Sequence, residues 1–421
     1  MVKKPELIAP AGDWVSLRAA IAAGADGVYF GVKQLNMRAN AKNFEIGEIS
    51  RVVRVCHDKN VSAYLVLNTI IYDDEIEKVR KLLKEAKKAK VDAIVCWDYA
   101  VIDECEKLGL GIHLSTQSSI SNSNEITFLK NKIKKLERIV LARELSLDQI
   151  KTIIKKIKKN SMEKNINKKN SIKNKGIGVE TFIHGAMCVS VSGRCFISQF
   201  LFDKSANRGD CLQPCRREYV VKDPEEGHKL KLDNNYVMSP KDLCTLGFID
   251  KLIESGSSAF KIEGRNRSPE YVKTVVSCYR AAIDAYFDGK LTDSLKKKLV
   301  LKLKTVYNRG FSSGFYLGKP NDEDWSEVYG SSATTKKKYV GFVRNFYKKV
   351  KVAEIKLEAG DVKVGDEIMF QGPTTGVVEE VVKSMELDHK KVSNGKKGQH
   401  IAVKVSGVVR ERDKVYLVVK S

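Results

Sequence analysis

At 421 residues, with 43% apolar and 30% charged side chains, the chain is globular in composition and long enough for two domains, or for one large domain with an appendage. No run of about 18 apolar residues occurs, which excludes a membrane-spanning helix on hydropathy. The net charge of +23 favours a polyanionic partner such as RNA, although residues 151–175 hold ten lysines against the single acid Glu163 and so concentrate nine of those charges in one segment.

The opening "MVKKPELIAPAGD" enters a strand-like pattern at once and lacks the apolar run of a signal peptide, so a cytoplasmic address is expected. In that compartment clustered cysteines bind metal or do redox chemistry more often than they form disulfides. Short β-branched and apolar runs then recur at 6–12, 26–31, 62–68, 93–98, 111–117, 138–143, 178–185 and 258–264. Amphipathic helix patterns such as 13–25 and 74–90 lie between them. This alternation indicates a parallel sheet covered by helices, and eight strands is the number that closes a barrel. A doubly wound open sheet has the same alternation, because strand positions do not reveal closure. The expected fold is α/β: a TIM-like (β/α)8 barrel over residues 1–318.

Two stretches interrupt the rhythm. Residues 151–175 begin as a basic helix and then lose periodicity, which reads as a solvated Lys/Asn-rich insertion. Residues 186–257 form a long Cys-rich insertion between the seventh and eighth strands, with a hairpin expected at 217–239; long insertions at that end of a barrel strand usually serve function. A helix at 268–289, with Ser268 as N-cap and Pro269 in its first turn, precedes a second at 293–308. Polar text at 319–337 reads as a linker. Residues 338–421 carry six short strand patterns with Gly-rich turns, which predict a small antiparallel β-barrel.

Of the nine cysteines, Cys56, Cys105 and Cys278 fall in helix patterns and Cys96 in a strand, where a small buried hydrophobe is the ordinary role. The other five, Cys188, Cys195, Cys211, Cys215 and Cys244, are spaced C-x6-C-x15-C-x3-C-x28-C. No C-x2-C pair occurs, so a zinc ribbon fits poorly. Four thiolates from loops suit an iron–sulfur cluster, while a catalytic thiol and structural cysteines remain open on spacing alone.

"ETFIHGAMCVSVSGRCFIS" (180–198), together with "LIAPAGD", "HLSTQSSISN", "VLARELS", "NRGDCLQPCR", "KDLC" and "FKIEGRNRS", resembles the signature of peptidase family U32, the collagenase-like proteins. The all-β tail is similar to the longer members, which include the bacterial tRNA-hydroxylation proteins; other relatives modify ribosomal RNA or hydroxylate the ubiquinone ring without molecular oxygen. The resemblance implies a [4Fe–4S] cluster, prephenate as partner metabolite and conversion of the tRNA wobble uridine to 5-hydroxyuridine. Its ligands here would be Cys188, Cys195, Cys211 and Cys244, with Cys215 as the alternate fourth ligand. The insertion at 151–175 departs from the family's pattern.

Barrel sites form at the C-terminal strand ends. In "AFKIEGR", Lys261, Glu263 and Arg265 alternate on one face, and Arg265 is placed to hold a small anionic metabolite. Glu180 and His184 share a face of their strand on the same alternation, which completes the expected catalytic set. Asn68, Asp98, Ser115, Gln117 and Arg143 fall at strand ends as candidate pocket residues, with His113 beside them. For each of these a satisfied polar group in the barrel core is the plainer alternative.

The chain is thus expected to be an iron–sulfur-dependent RNA hydroxylase. A peptidase is the second reading, although no H-E-x-x-H or G-x-S-x-G is present and the thiol of Cys188 or Cys195 would need His184 as base. An RNA-binding accessory factor with a structural cluster is the third.

Overall fold

The computed structural model describes residues 2–166, 176–220, 224–225 and 236–421. Part of the insertion expected at 151–175, and most of the hairpin expected at 217–239, lie outside the described residues. Nine strands build the first unit: β1 (Glu6–Ala11), β2 (Gly27–Phe30), β3 (Ser62–Leu67), β4 (Ala93–Cys96), β5 (Ile112–Leu114), β6 (Leu136–Val140), β7 (Gly178–Gly185), β8 (Asp242–Cys244) and β9 (Ala259–Ile262). All but β8 pair in parallel. The ring closes because β9 lies between β7 and β1, with Ala259 opposite both Glu180 and Glu6. An open doubly wound sheet would leave one flank of β9 free. The eight barrel strands are those expected, while β8 is a short antiparallel addition to β7 at the end of the Cys-rich insertion.

Ten helices accompany them among the described residues: α1 (Trp14–Ala22), α2 (Ile49–His57), α3 (Ile76–Lys88), α4 (Tyr99–Leu108), α5 (Ser123–Lys132), α6 (Leu147–Ile166), α7 (Ile197–Phe202), α8 (Ile249–Glu254), α9 (Pro269–Phe287) and α10 (Asp293–Leu303). Local chemistry sets their ends: Asp13 accepts from the Ser16 amide at 2.8 Å to cap α1, and Gly109 ends α4 in the left-handed region. On α3 the apolar residues Val79, Leu82, Leu83 and Ala86 recur at helical spacing, and all four are buried against the sheet. Burial of each leucine contributes roughly 1.5–3 kcal/mol. None of the described helices is long and apolar enough to cross a membrane.

Inside the cylinder the period-two alternation turns Ile8, Tyr29, Tyr64, Val66, Ala93, Val95 and Ala259 toward one another. An ionic column runs through this cluster. Lys261 Nζ lies 2.8 Å from Glu180 Oε1, and Arg138 bridges Glu180 at 3.3 Å and Glu6 at 2.7 Å. Burial alone would raise the Glu180 pKa, but Lys261 and Arg138 outweigh it and hold the carboxyl at about 2.

The second unit follows β10 (Phe311–Ser312). Its strands are β11 (Thr335–Tyr347), β12 (Val352–Leu357), β13 (Val362–Lys363), β14 (Glu367–Gly372), β15 (Gly376–Val381), β16 (Met385–Leu387), β17 (Lys390–Val392), β18 (Asn394–Gly395), β19 (His400–Lys404) and β20 (Lys414–Lys420). Eight of them form one antiparallel sheet ordered β15-β14-β20-β11-β12-β19-β16-β17, and β13 pairs with β18. Phe370 of β14 and Met385 of β16 belong to one buried cluster although their strands stand far apart in that order, so the sheet folds back over a single core. The stretch expected as a linker is tied down: Lys241 N donates to Asp324 O at 2.8 Å and Ser326 N to Ser239 O at 2.7 Å. The sheet docks on α1 and α9, where Ala19 packs on Met369 and Val377 and Lys273 pairs with Glu379 at 2.9 Å.

Replacing Glu180 by Gln strands Lys261 in the barrel and leaves Arg138 only its Glu6 partner. It is expected to destabilise the fold by about 3–5 kcal/mol, read as a lower urea midpoint at unchanged slope. Because folding depresses this carboxyl, its contribution is complete above pH 4.5 and is lost as pH falls toward 2; E180Q lacks that acid limb.

Candidate active site at the barrel mouth

Alternation along β9 and just beyond it puts Lys261, Glu263 and Arg265 on the inner wall, where all three line a cavity of about 60 Å³ on the barrel axis. Asn68, Ser115 and Gln117 line it as well. Asn68 Nδ2 donates to Gln117 Oε1 at 3.2 Å, and Ser115 Oγ donates to the same oxygen. Glu263 is gripped by Arg38, whose Nε and Nη2 lie 3.2 and 2.9 Å from Oε1. Arg265 Nη2 donates to Asn36 Oδ1 at 2.8 Å, while Nη1, also buried, has no partner. Burial draws the Arg265 pKa down to about 10. Gly12 and Gly31 make room for this side of the mouth, since a Cβ at the first would overlap the Arg265 carbonyl oxygen and one at the second its Nη1.

A wider cavity of about 610 Å³ lies directly outside and shares Arg38, Gln117, Phe182 and Glu263 with the inner one. Its wall carries four cysteines, Cys188, Cys195, Cys211 and Cys215. Backbone amides point at two of these sulfurs: Ile197 N donates to Cys195 Sγ at 3.4 Å and Gln213 N to Cys211 Sγ at 3.3 Å. Burial pushes the Cys215 thiol up, and Cys188, Cys211 and Cys195 add to it, so this thiol is within electrostatic reach of the other three. Arg216 fixes the loops, donating to Pro240 O at 3.0 Å and to the Met187 carbonyl that precedes Cys188. Arg143 lines the same cavity with its guanidinium 4.6 Å from the Phe182 ring centre; Nη1 donates to Ala186 O at 2.8 Å, and Nε and Nη2 have no partner.

Four of the candidate residues line neither cavity. Cys244 does not line the cavity; it is buried on β8, where the Tyr279 hydroxyl approaches its sulfur at 3.7 Å and burial pushes the thiol up to about 11. Cys215 stands at the cavity instead. His184 does not share a face with Glu180, because β7 carries an extra residue between Phe182 and His184 and the bulge turns the imidazole out of the barrel. There it packs among Tyr271, Tyr279 and Phe311, at ring separations of 5.9, 5.5 and 5.6 Å. Glu180 points inward but is held in the ionic column and lines neither cavity. Asp98 is a helix cap: its carboxylate accepts from Ala100 N at 2.9 Å and Ile71 N at 3.0 Å. His113 stays in the barrel interior, 4.6 Å from the Tyr64 ring centre.

Arg38 and Asn36 escaped the sequence reading. The available signal was "LNMRAN" (35–40), a polar loop at the C-terminal end of a barrel strand, where sites form. Among the described residues no three His, Cys, Asp or Glu side chains are placed to hold a single metal ion.

The fold and mouth define a (β/α)8-barrel protein whose site is built from thiols above buried guanidinium groups. The family model "Peptidase family U32" matches residues 12–326, and the chain belongs to that family. A protein of Porphyromonas gingivalis named collagenase is 43% identical over 98% of this chain and 97% of its own. The tRNA hydroxylation protein P1 of Bacillus subtilis is 34% identical over 89% of this chain and 85% of its own. The 23S rRNA 5-hydroxycytidine synthase of Escherichia coli K12 is 35% identical over 68% of this chain, which spans 40% of that protein.

Burial lowers the His184 pKa from 6.5 to about 4. The unfolded chain therefore binds a proton that the folded chain refuses, and stability is full above pH 6.5 and falls on acidification toward 4. In urea titrations across that window, His184→Phe is expected to flatten the fall.

Proposed function

We propose that this chain is an iron–sulfur-dependent enzyme that hydroxylates RNA, with the wobble uridine of tRNA as substrate, 5-hydroxyuridine as product and prephenate as partner metabolite. The observation that carries the reading is the convergence of Cys188, Cys195, Cys211 and Cys215 on one cavity above a cationic barrel mouth. Soft sulfur donors without a histidine among them fit a [4Fe–4S] cluster, in which each thiolate binds a different iron and the ligands need not crowd around one ion. When bound, the cluster supplies one-electron chemistry or a Lewis-acidic iron.

The chain's own residues supply the rest. Burial raises the Cys211 thiol, and the Gln213 amide and the guanidinium of Arg38 act against that rise, toward the thiolate. Unpaired donors on Arg265 and Arg143 need an anionic partner, which a carboxylate metabolite provides. The inner cavity of about 60 Å³ has room for a carboxylate head but not for a nucleobase. The wider cavity suits a base taken out of its stack, and the exposed rings of Phe196 and Phe200 next to Cys195 suit stacking of its neighbours. Two relatives carry RNA-hydroxylation names, which supports the same class. A thiol peptidase finds less support, since His184 faces away from Cys188 and Cys195.

Anaerobic purification is expected to give a brown protein with about four irons per chain. Cys215→Ala should lose the colour and Cys244→Ala keep it. In a deletion strain, mass spectrometry of digested RNA should miss one hydroxylated nucleoside, restored by wild type and by Cys244→Ala but not by Cys195→Ala. A colourless, iron-free protein after anaerobic reconstitution, together with gelatin cleavage lost in Cys188→Ala, would overturn the reading.

A further inference from the structure

A groove of about 620 Å³ runs between the barrel rim and the C-terminal sheet. The rim contributes the turn around Asp13 and the segment after β9, and the sheet contributes Arg412, Lys414 and Tyr416. Arg265 belongs to both this groove and the inner cavity of the mouth, so the two adjoin. The lining is basic, with Asp13 as its one acid among the described residues. Some of its cations are already engaged: Lys42 pairs with Asp13 at 2.9 Å, Lys337 with Glu270 at 2.8 Å, and Arg267 stacks 3.6 Å from the Tyr307 ring centre. Arg412 and Lys414 are exposed and make no ion pair or side-chain hydrogen bond with the described residues.

These two cations sit on a turn built to hold them. Asp413 between them is buried, and its carboxylate accepts from Arg410 N at 2.8 Å and Thr375 Oγ1 at 2.5 Å. The backbone locks to β11 through Arg412 N on Val343 O at 2.8 Å and Val343 N on Asp413 O at 2.9 Å. Arg412 is thereby kept at φ 68°, in the left-handed region that few non-glycine residues occupy. The opposite wall is fixed to the same sheet, since Glu270 accepts from both Lys337 and Gln371 at 2.8 Å. Unpaired cations on a fixed backbone, along a groove that shares Arg265 with the mouth, match a polyphosphate track.

We infer that this groove carries the sugar–phosphate backbone of the RNA substrate, with Arg412 and Lys414 each contacting a phosphate beside the nucleotide delivered to the thiol-lined cavity. The inference rests on the RNA reading above. It assigns the C-terminal sheet a role in positioning RNA, by contacts that carry no base sequence information.

The test is fluorescence anisotropy of labelled tRNA with the iron-loaded protein across a series of KCl concentrations. Arg412→Ala/Lys414→Ala is expected to reduce the slope of log K against log salt by about 1.5, two contacts at roughly 0.7–0.9 each. Lys81→Ala/Lys84→Ala on α3 removes the same charge from another exposed face and should leave the slope unchanged; iron content should be equal in all three proteins. An unchanged slope in the groove variant, or an equal loss in the α3 variant, overturns the groove while wild-type tRNA binding and the hydroxylated nucleoside keep the functional reading. A wild-type protein that fails to bind tRNA overturns both.

Discussion

The arrangement of the mouth depends on how β7 leaves the cylinder. One extra residue after Phe182 keeps that ring inside, under Arg143, and sends His184 outside. At Gly185, φ 108°, the chain then passes so close to β9 that a Cβ would come within 2.6 Å of the Glu263 carbonyl oxygen. No other residue allows the exit and the Glu263–Arg38 pair at once. Beyond it the backbone has no strand partner, so its carbonyls need donors from elsewhere. Arg143 takes the Ala186 carbonyl and Arg216 the Met187 carbonyl, which fixes the approach to Cys188.

Charge is distributed in two tiers inside the barrel, where compensation matters because water is scarce. The lower tier pairs Glu6 and Glu180 with Arg138 and Lys261 and is neutral. The upper tier sets Arg38, Arg143 and Arg265 beside Glu263, with Glu144, Asp324 and Lys319 also lining the thiol-bearing cavity. Burial alone would lower the Arg38 pKa, but the neighbouring Glu263 outweighs it and holds Arg38 above its ordinary value. Buried guanidinium donors on Arg143 and Arg265 have no partner among the described residues and are the part of this tier the chain does not satisfy itself.

Strands and helices were legible because each barrel strand is a short β-branched run and each covering helix an apolar stripe of 3.6 period. Closure was not, since it rests on β9 meeting β7 and β1, which are distant in the chain. At the site, alternation located Lys261, Glu263 and Arg265 because β9 is regular, and it failed for His184 because a bulge leaves no mark in composition. Asp98 has the residue type of a pocket acid and of a helix cap alike, and only the Ala100 and Ile71 amides distinguish the two. Spacing brought five cysteines into view without choosing among them; the fold sets four of them on the cavity wall and buries Cys244 against α9. Arg38 lay in a loop whose direction no periodicity encodes.

On the RNA reading, the nesting of the two cavities constrains the order of events. They share Arg38, Gln117, Phe182 and Glu263, so a small anion bound to Arg265 lies behind whatever fills the outer space. A base cannot pass into about 60 Å³ and must stop at the level of the sulfurs. Entering through the outer cavity, the anion then has to arrive before the base, or leave after it. The interface of the C-terminal sheet with α1 and α9, on the β1/β9 side of the ring, leaves the thiol loops over β7 uncovered, so RNA can approach across that sheet without displacing them.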